Sequence, residues 1–136
     1  MPTNADLLRK YTEQAWGRGE LSVVDELVHP DAPPPHGADA GGPAGYKQEI
    51  LAVRNGLSNY RTVVDACFGV GDLVAIRWST FGKHTGTLFG FPATGRDVTI
   101  PGVGIFQFVD GKIYRHWGED AMPSLLGQIG AFPAPH

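Results

Sequence analysis

YRTVVDACFGVGDLVAIRWSTFGKH (residues 60–84) and RDVTIPGVGIFQFVDGKIYRHWGED (residues 96–120) share one plan. Each holds two runs rich in β-branched and aromatic residues around a two-residue turn, Gly71-Asp72 in the first and Asp110-Gly111 in the second. Such dipeptides are hairpin signals, because glycine and aspartate tolerate the backbone of a tight turn. The spacing predicts four antiparallel strands over 60–70, 72–84, 96–109 and 112–120. In LVAIRW and IFQFV few polar residues alternate with the apolar ones. A sheet built from such strands is apolar on both faces and needs cover on both.

Upstream the period becomes helical. Asn4 is placed to cap a helix through DLLRKYTEQAWGRG, in which Leu7, Leu8, Tyr11 and Ala15 share a face and Gly17 and Gly19 end it. Ser22 opens a second, short helix with Val23, Val24, Leu27 and Val28 apolar, stopped at His29-Pro30. HPDAPPPHGADAGGPAG, residues 29–45, is read as a long loop, a kind of segment that often serves function. GYKQEILAVRNGL reads as a third helix burying Ile50, Val53 and Leu57, and the last strand runs into a short amphipathic segment. Three helices can cover one sheet face. The other must meet a partner chain or curl round a cavity. The expected class is therefore α+β: one domain over residues 1–136, its antiparallel sheet curved into a cone around an apolar pocket.

The 136 residues are 42% hydrophobic and 18% charged, an ordinary composition for a globular domain. The net charge of −3 is scattered without a Lys/Arg cluster, so nucleic acid is not an expected partner. Cys67 stands alone and reads as a small apolar side chain, which suits a reducing, cytoplasmic location. Nothing approaches the ~20 consecutive apolar residues of a membrane span, and the N-terminal stretch lacks the apolar run of a signal peptide. The histidines are isolated and no glycine-rich nucleotide fingerprint follows a strand, so neither a metal nor an organic cofactor is expected.

Several pieces in order resemble one family: Arg77-Trp78, Gly82-Lys83-His84-Thr85-Gly86, Gly90-Phe91-Pro92-Ala93-Thr94-Gly95-Arg96, Asp110-Gly111-Lys112-Ile113, His116-Trp117 and Gln128-Ile129-Gly130. They are similar to the SnoaL-like polyketide cyclases, relatives of ketosteroid isomerase in the nuclear transport factor two superfamily, and the similarity spans most of the chain. The resemblance implies the cone-shaped α+β fold and an aldol-type cyclisation of an aromatic polyketide. It also implies no cofactor, and a homodimer or higher homo-oligomer. Other members are assigned to ring hydroxylation, and the fold also hosts plain binding proteins, so those two activities stand as alternatives. The family acid falls at Ala121 in this frame and a family histidine at Gln107; both positions depart from the pattern.

One well-placed carboxylate in an apolar pocket can take a proton from a carbon flanked by two carbonyls, because burial raises its pKa toward the working range. Asp120 and Glu119 are the candidates for this acid/base role, with Gln107 able to orient a carbonyl. Strand parity sets Tyr114, His116, Gly118 and Asp120 on one face and Arg115, Trp117, Glu119 and Ala121 on the other. If Trp117 faces the pocket, Glu119 lies beside it in a regular strand, and a bulge at Gly118 would bring Asp120 there instead. His36 in the long loop, Tyr46, Phe106, His116 and Trp117 are candidate ligand contacts, the ligand being a small aromatic polyketide-like molecule. His84 is expected to pin a loop through a hydrogen bond, and Arg77 in its apolar strand to pair with Asp65.

Overall fold

A computed structural model describes residues 1–35, 38–120 and 122–130, the side chains of Glu119, Asp120, Met122 and Pro123 excepted. Helix α1 (Asn4–Lys10) is capped by Thr3 instead of Asn4. The Thr3 hydroxyl accepts from the Asp6 N–H at 3.1 Å, and the Asp6 carboxylate accepts from the Thr3 N–H at 2.9 Å, a reciprocal box that satisfies two end donors. The expected single helix then changes pitch. Tyr11–Trp16 form a π-helical stretch, whose wider turn buries the consecutive residues Tyr11 and Thr12. Thr12 is tolerated there because its hydroxyl donates to the Leu8 carbonyl at 2.9 Å.

Helix α2 (Ser22–Leu27) hands over to an extended Val28, which bridges to Ile113 of the sheet. Helix α3 (Gly42–Arg54) begins inside the stretch read as loop: Pro43 sits in the first turn, where a missing N–H costs nothing. It also stops earlier than expected, so Leu57 starts a strand and does not extend the helical stripe. Arg54 at its end donates to the carbonyls of Trp16 and Gly17 and stacks on the Tyr60 ring at 4.4 Å, tying α3 to the π-helical stretch.

The strands are β1 (Leu57–Val70), β2 (Leu73–His84), β3 (Asp97–Val109) and β4 (Lys112–Asp120), antiparallel in chain order. Both hairpin turns form where expected. Gly71 has φ +61°, while Asp110 and Gly111 have +53° and +73°, the paired positive values of a two-residue turn that matches strand twist. Register irregularities interrupt β1 at Ser58/Arg61 and Val64/Ala66 and bend the sheet. The last hairpin is irregular between Gln107 and Phe108, opposite Tyr114. From Gln107↔Arg115 to Gly102↔Asp120 the pairing is unbroken, so the bulge entertained at Gly118 does not occur.

Alternation then assigns the faces. Val74 and Ile76 of β2, Phe106 and Phe108 of β3 and Ile113 of β4 meet Leu8, Tyr11, Val24, Leu27, Tyr46 and Ile50 in the main core. A second core beyond it joins Leu57, Leu88, Val98 and Ile100 to Leu125 and Ile129 of helix α4 (Met122–Gln128) and the turn after it. The opposite sheet face is open. It exposes Val63, Phe68, Leu73, Val103, Ile105 and Trp117. Arg77 stands on this open face and is exposed, so it avoids the burial penalty that called for an ion pair; Asp65 instead accepts from the Ser79 hydroxyl at 2.7 Å. Cys67 is half-buried against the main core, as a small apolar side chain would be.

Residues 85–96 cross from β2 to β3 and are anchored by His84, which is fully buried. Its backbone N–H donates to the Arg96 carbonyl and its carbonyl accepts from Gly95, both at 2.8 Å. The Thr94 hydroxyl accepts from the Arg96 N–H at 3.3 Å and lies 2.9 Å from His84 Nδ1, so its own proton is directed to that nitrogen. The Thr94 N–H donates to the same Nδ1 at 3.3 Å. Nδ1 is therefore the acceptor and Nε2 carries the ring proton.

Candidate functional site

On the helix side of the sheet a hollow is lined by Pro33–Pro35, Tyr46, Ile76 and His116. Gly104 and Gly118 face each other across β3 and β4 and both line it. A Cβ on Gly104 would press on the Trp117 carbonyl at 3.2 Å and the Phe106 ring at 3.3 Å, and one on Gly118 would meet the Val103 carbonyl at 2.7 Å. The Trp78 ring, 3.5 Å from the same point on Gly104, and the Phe106 ring thus already cover that glycine. The same hollow extends over the open face along Phe68, Arg77, Val103, Ile105 and Trp117 and amounts to about 1080 Å³ in all.

Tyr46 and His116 form the polar wall. Tyr46 comes from the first turns of α3 and His116 from β4, and Tyr46 Oη lies 3.0 Å from His116 Nδ1. Phe106, one strand across, stacks on the imidazole at 4.8 Å with 14° between planes, which fixes the ring. Tyr11 meets Tyr46 edge-on at 6.4 Å. Burial lowers the His116 pKa below its ordinary 6.5, so the ring is neutral at neutral pH. Burial, with the charge of Glu49 second, raises Tyr46 far above 10.0, so its phenol keeps the proton. Tyr11 is raised by the same two causes in the same order, and Tyr60 by burial against the opposing hydrogen bonds of Thr62 and Thr80.

Two pH effects on stability follow, with opposite signs. The folded state binds protons at His116 less readily than the unfolded chain, so stability falls as pH drops through 6.5 toward the lowered value. The folded state holds the phenol protons more tightly, so stability is intact below 10.0 and falls as pH rises above it. Denaturant melts across pH check both, and His116→Phe removes the acid-side slope. A slope unchanged in that variant would assign it elsewhere.

Of the sequence-predicted residues, the structure brings Tyr46, Phe106 and His116 together. It places Gln107 and Trp117 on the other face of the sheet. Both have the parity of the open face: Trp117 is 52% exposed, and Gln107 Nε2 donates to Asp72 at 3.0 Å beside the first hairpin turn. Asp120 pairs with Gly102 and has the register parity of His116 and Gly118, while Glu119 pairs with Val103 and has that of Trp117. Their carboxyl groups lie outside the described residues, as do His36 and Ala121. Trp117 and His116 thus lie on opposite faces of β4, with α3 and the core helices on the His116 side, and both line the hollow.

Sequence reasoning passed over Glu49, half-buried one turn beyond Tyr46 and close enough to act on the two tyrosines. Its signal was present: it lies at i+3 from Tyr46 on the stripe that continues to Ile50 and Val53. Among the described residues, no group of three His, Cys, Asp or Glu side chains is arranged to hold a metal ion. Among the same residues no helix is long and apolar enough to cross a membrane.

A curved antiparallel sheet packed on helices, with a hollow whose wall carries the hydrogen-bonded Tyr46–His116 pair, is a domain of the cone-shaped α+β kind. The profile of the SnoaL-like polyketide cyclases matches residues 5–129, and the chain belongs to that family. It is 29% identical over 146 aligned residues to the aklanonic acid methyl ester cyclase DnrD of Streptomyces peucetius, covering 99% of this chain and 97% of that protein. It is 30% identical over 120 residues to the nogalonic acid methyl ester cyclase of Streptomyces nogalater, covering 85% of this chain and 90% of the relative. Among solved structures, TsrD from Streptomyces laurentii superposes with a TM-score of 0.84 at 26% identity over 93% of each chain. Family and relatives place the chain among polyketide-cyclising enzymes.

Proposed function

We propose that this protein closes a carbocyclic ring of an aromatic polyketide ester by an intramolecular aldol reaction, with Asp120 as acid and base. The observation that carries the reading is the apolar hollow whose wall holds a neutral His116 bonded to Tyr46, in a chain aligned nearly end to end with a methyl ester cyclase. The carbon acid of such a substrate lies between carbonyl groups and needs only one base with a raised pKa. The register parity of Asp120 with His116 favours it over Glu119. Apolar walls hold the chain in a reactive fold, which contributes as much as the proton transfer.

The test is incubation of the purified full chain with aklanonic acid methyl ester and with nogalonic acid methyl ester, the substrates named for the relatives, followed by chromatography of the products. Ring-closed product above the buffer rate is expected from at least one. Oxygen incorporation into the product would convert the reading to ring hydroxylation. Tight binding of both esters without conversion would convert it to a binding protein.

The same reading includes a homodimer through the open sheet face. Phe68, Val103, Ile105 and Trp117 make an apolar centre there, with Asp65 and Arg77 on the same face to pair reciprocally about a two-fold axis. Sedimentation is expected to give a dimer for the wild type and a folded monomer for Ile105→Glu. A wild-type monomer at micromolar concentration would end this part.

A further inference from the structure

Tyr46 and His116 are not used by the proton transfer assigned to Asp120, yet both line the hollow and are bonded to each other. The buried Tyr46 hydroxyl has a single acceptor among the described residues, His116 Nδ1 at 3.0 Å. A buried O–H without an acceptor is costly, so the phenol donates and Nδ1 accepts. A neutral imidazole whose Nδ1 accepts carries its proton on Nε2. Phe106, stacked 4.8 Å away, prevents the ring from turning out of plane. The imidazole lines the hollow together with Pro33–Pro35 and the side-chain-free Gly118.

We propose that His116, held by Tyr46 and Phe106, donates its Nε2–H to a carbonyl oxygen of a planar aromatic ligand in the hollow. His116 is then a catalytic residue of the oxyanion-stabilising kind, and Tyr46 a positioning residue. This deepens the cyclisation reading and, for its chemical role, rests on it. In that reaction the C–H bond breaks toward the Asp120 carboxylate and the freed electron pair forms the new C–C bond. The π pair of the attacked carbonyl moves to its oxygen, which receives the proton back from Asp120. His116 keeps its own proton throughout and lends only a hydrogen bond, so no other reactant is needed.

A neutral donor serves this purpose better than an imidazolium here. It leaves the field at Asp120 unchanged and its strength does not vary with pH above the ordinary imidazole range. An acting imidazolium would lose its proton, and the activity with it, as pH rises above 6.5, whereas the neutral donor causes no such fall.

The experiment has two arms on the full chain. Nitrogen-15 NMR of the histidine rings, with His116 assigned from the spectrum of His116→Gln, is expected to show the Nε2–H tautomer at neutral pH. Tyr46→Phe is expected to release it into a mixture. In the second arm, 1,8-dihydroxyanthraquinone is the probe. Its affinity is expected to fall at least ~10-fold in His116→Leu and to recover in His116→Gln, whose amide can donate again. An Nδ1–H tautomer or an imidazolium in the wild type overturns the proposal, and so does equal affinity in His116→Leu. Neither arm needs turnover, so a wild type that shows the tautomer and the affinity pattern but makes no product sinks the cyclisation reading alone.

Discussion

Asp120→Asn is expected to lower turnover by ~10²–10⁴-fold while the melting curve stays that of the wild type. Asparagine has the size of aspartate and can still hydrogen-bond, so binding and the register of β4 survive, but the amide cannot accept and return a proton. The loss therefore falls on kcat, and KM stays close to its original value. Glu119→Gln provides the comparison. Glu119 has the register parity of the exposed Trp117, and its variant is expected to keep nearly full activity. Equal turnover in Asp120→Asn and the wild type would remove Asp120 from the reaction, and loss in the Glu119 variant alone would move the role there.

His84→Ala is expected to destabilise the fold by about 3 kcal/mol, a sum of the cavity left by a fully buried ring and the donors it orphans. The Thr94 hydroxyl and N–H both end on His84 Nδ1, so the variant leaves two donors at the base of the 85–96 crossing unpaired. The melting point should fall by roughly 10 °C in a domain of this size. Thr94→Val isolates one part of the effect: it removes the hydroxyl, keeps the shape, and is expected to cost about 1 kcal/mol. His84 lies outside the hollow between α3 and the sheet, and Leu88 in its crossing belongs to the second core with α4. Thermal unfolding of both variants decides the matter, and an Ala variant as stable as the wild type would leave His84 without a structural role.

The two hairpins were legible because each depends on a few neighbouring residues. Gly71 and the Asp110-Gly111 pair adopt the positive φ that their turns require, and the β-branched runs on either side extend as such runs do. The ends of α3 were less legible. Gly42 and Pro43 look like loop residues until the chain folds back on Ala32, whose carbonyl accepts from the Gly42 N–H at 2.8 Å. The π-helical stretch was not legible at all, since its apolar spacing is compatible with an ordinary helix.

For the site, Tyr46, Phe106 and His116 could be named in advance because an aromatic or a histidine in an apolar run needs either a core or a ligand. Which side of β4 they share with the helices could not. Alternation along a strand divides its residues into two sets with certainty, but it does not say which set is inside. The amino-acid order by itself determined the four strands, their turns, the helices before them and the two sets of residues on each strand. The tertiary structure alone decided that His116 faces inward and Trp117 and Gln107 outward. The reason is that burial depends on where α3 and the π-helical stretch land and on a register shift opposite Tyr114, and both are contacts between residues far apart in the chain.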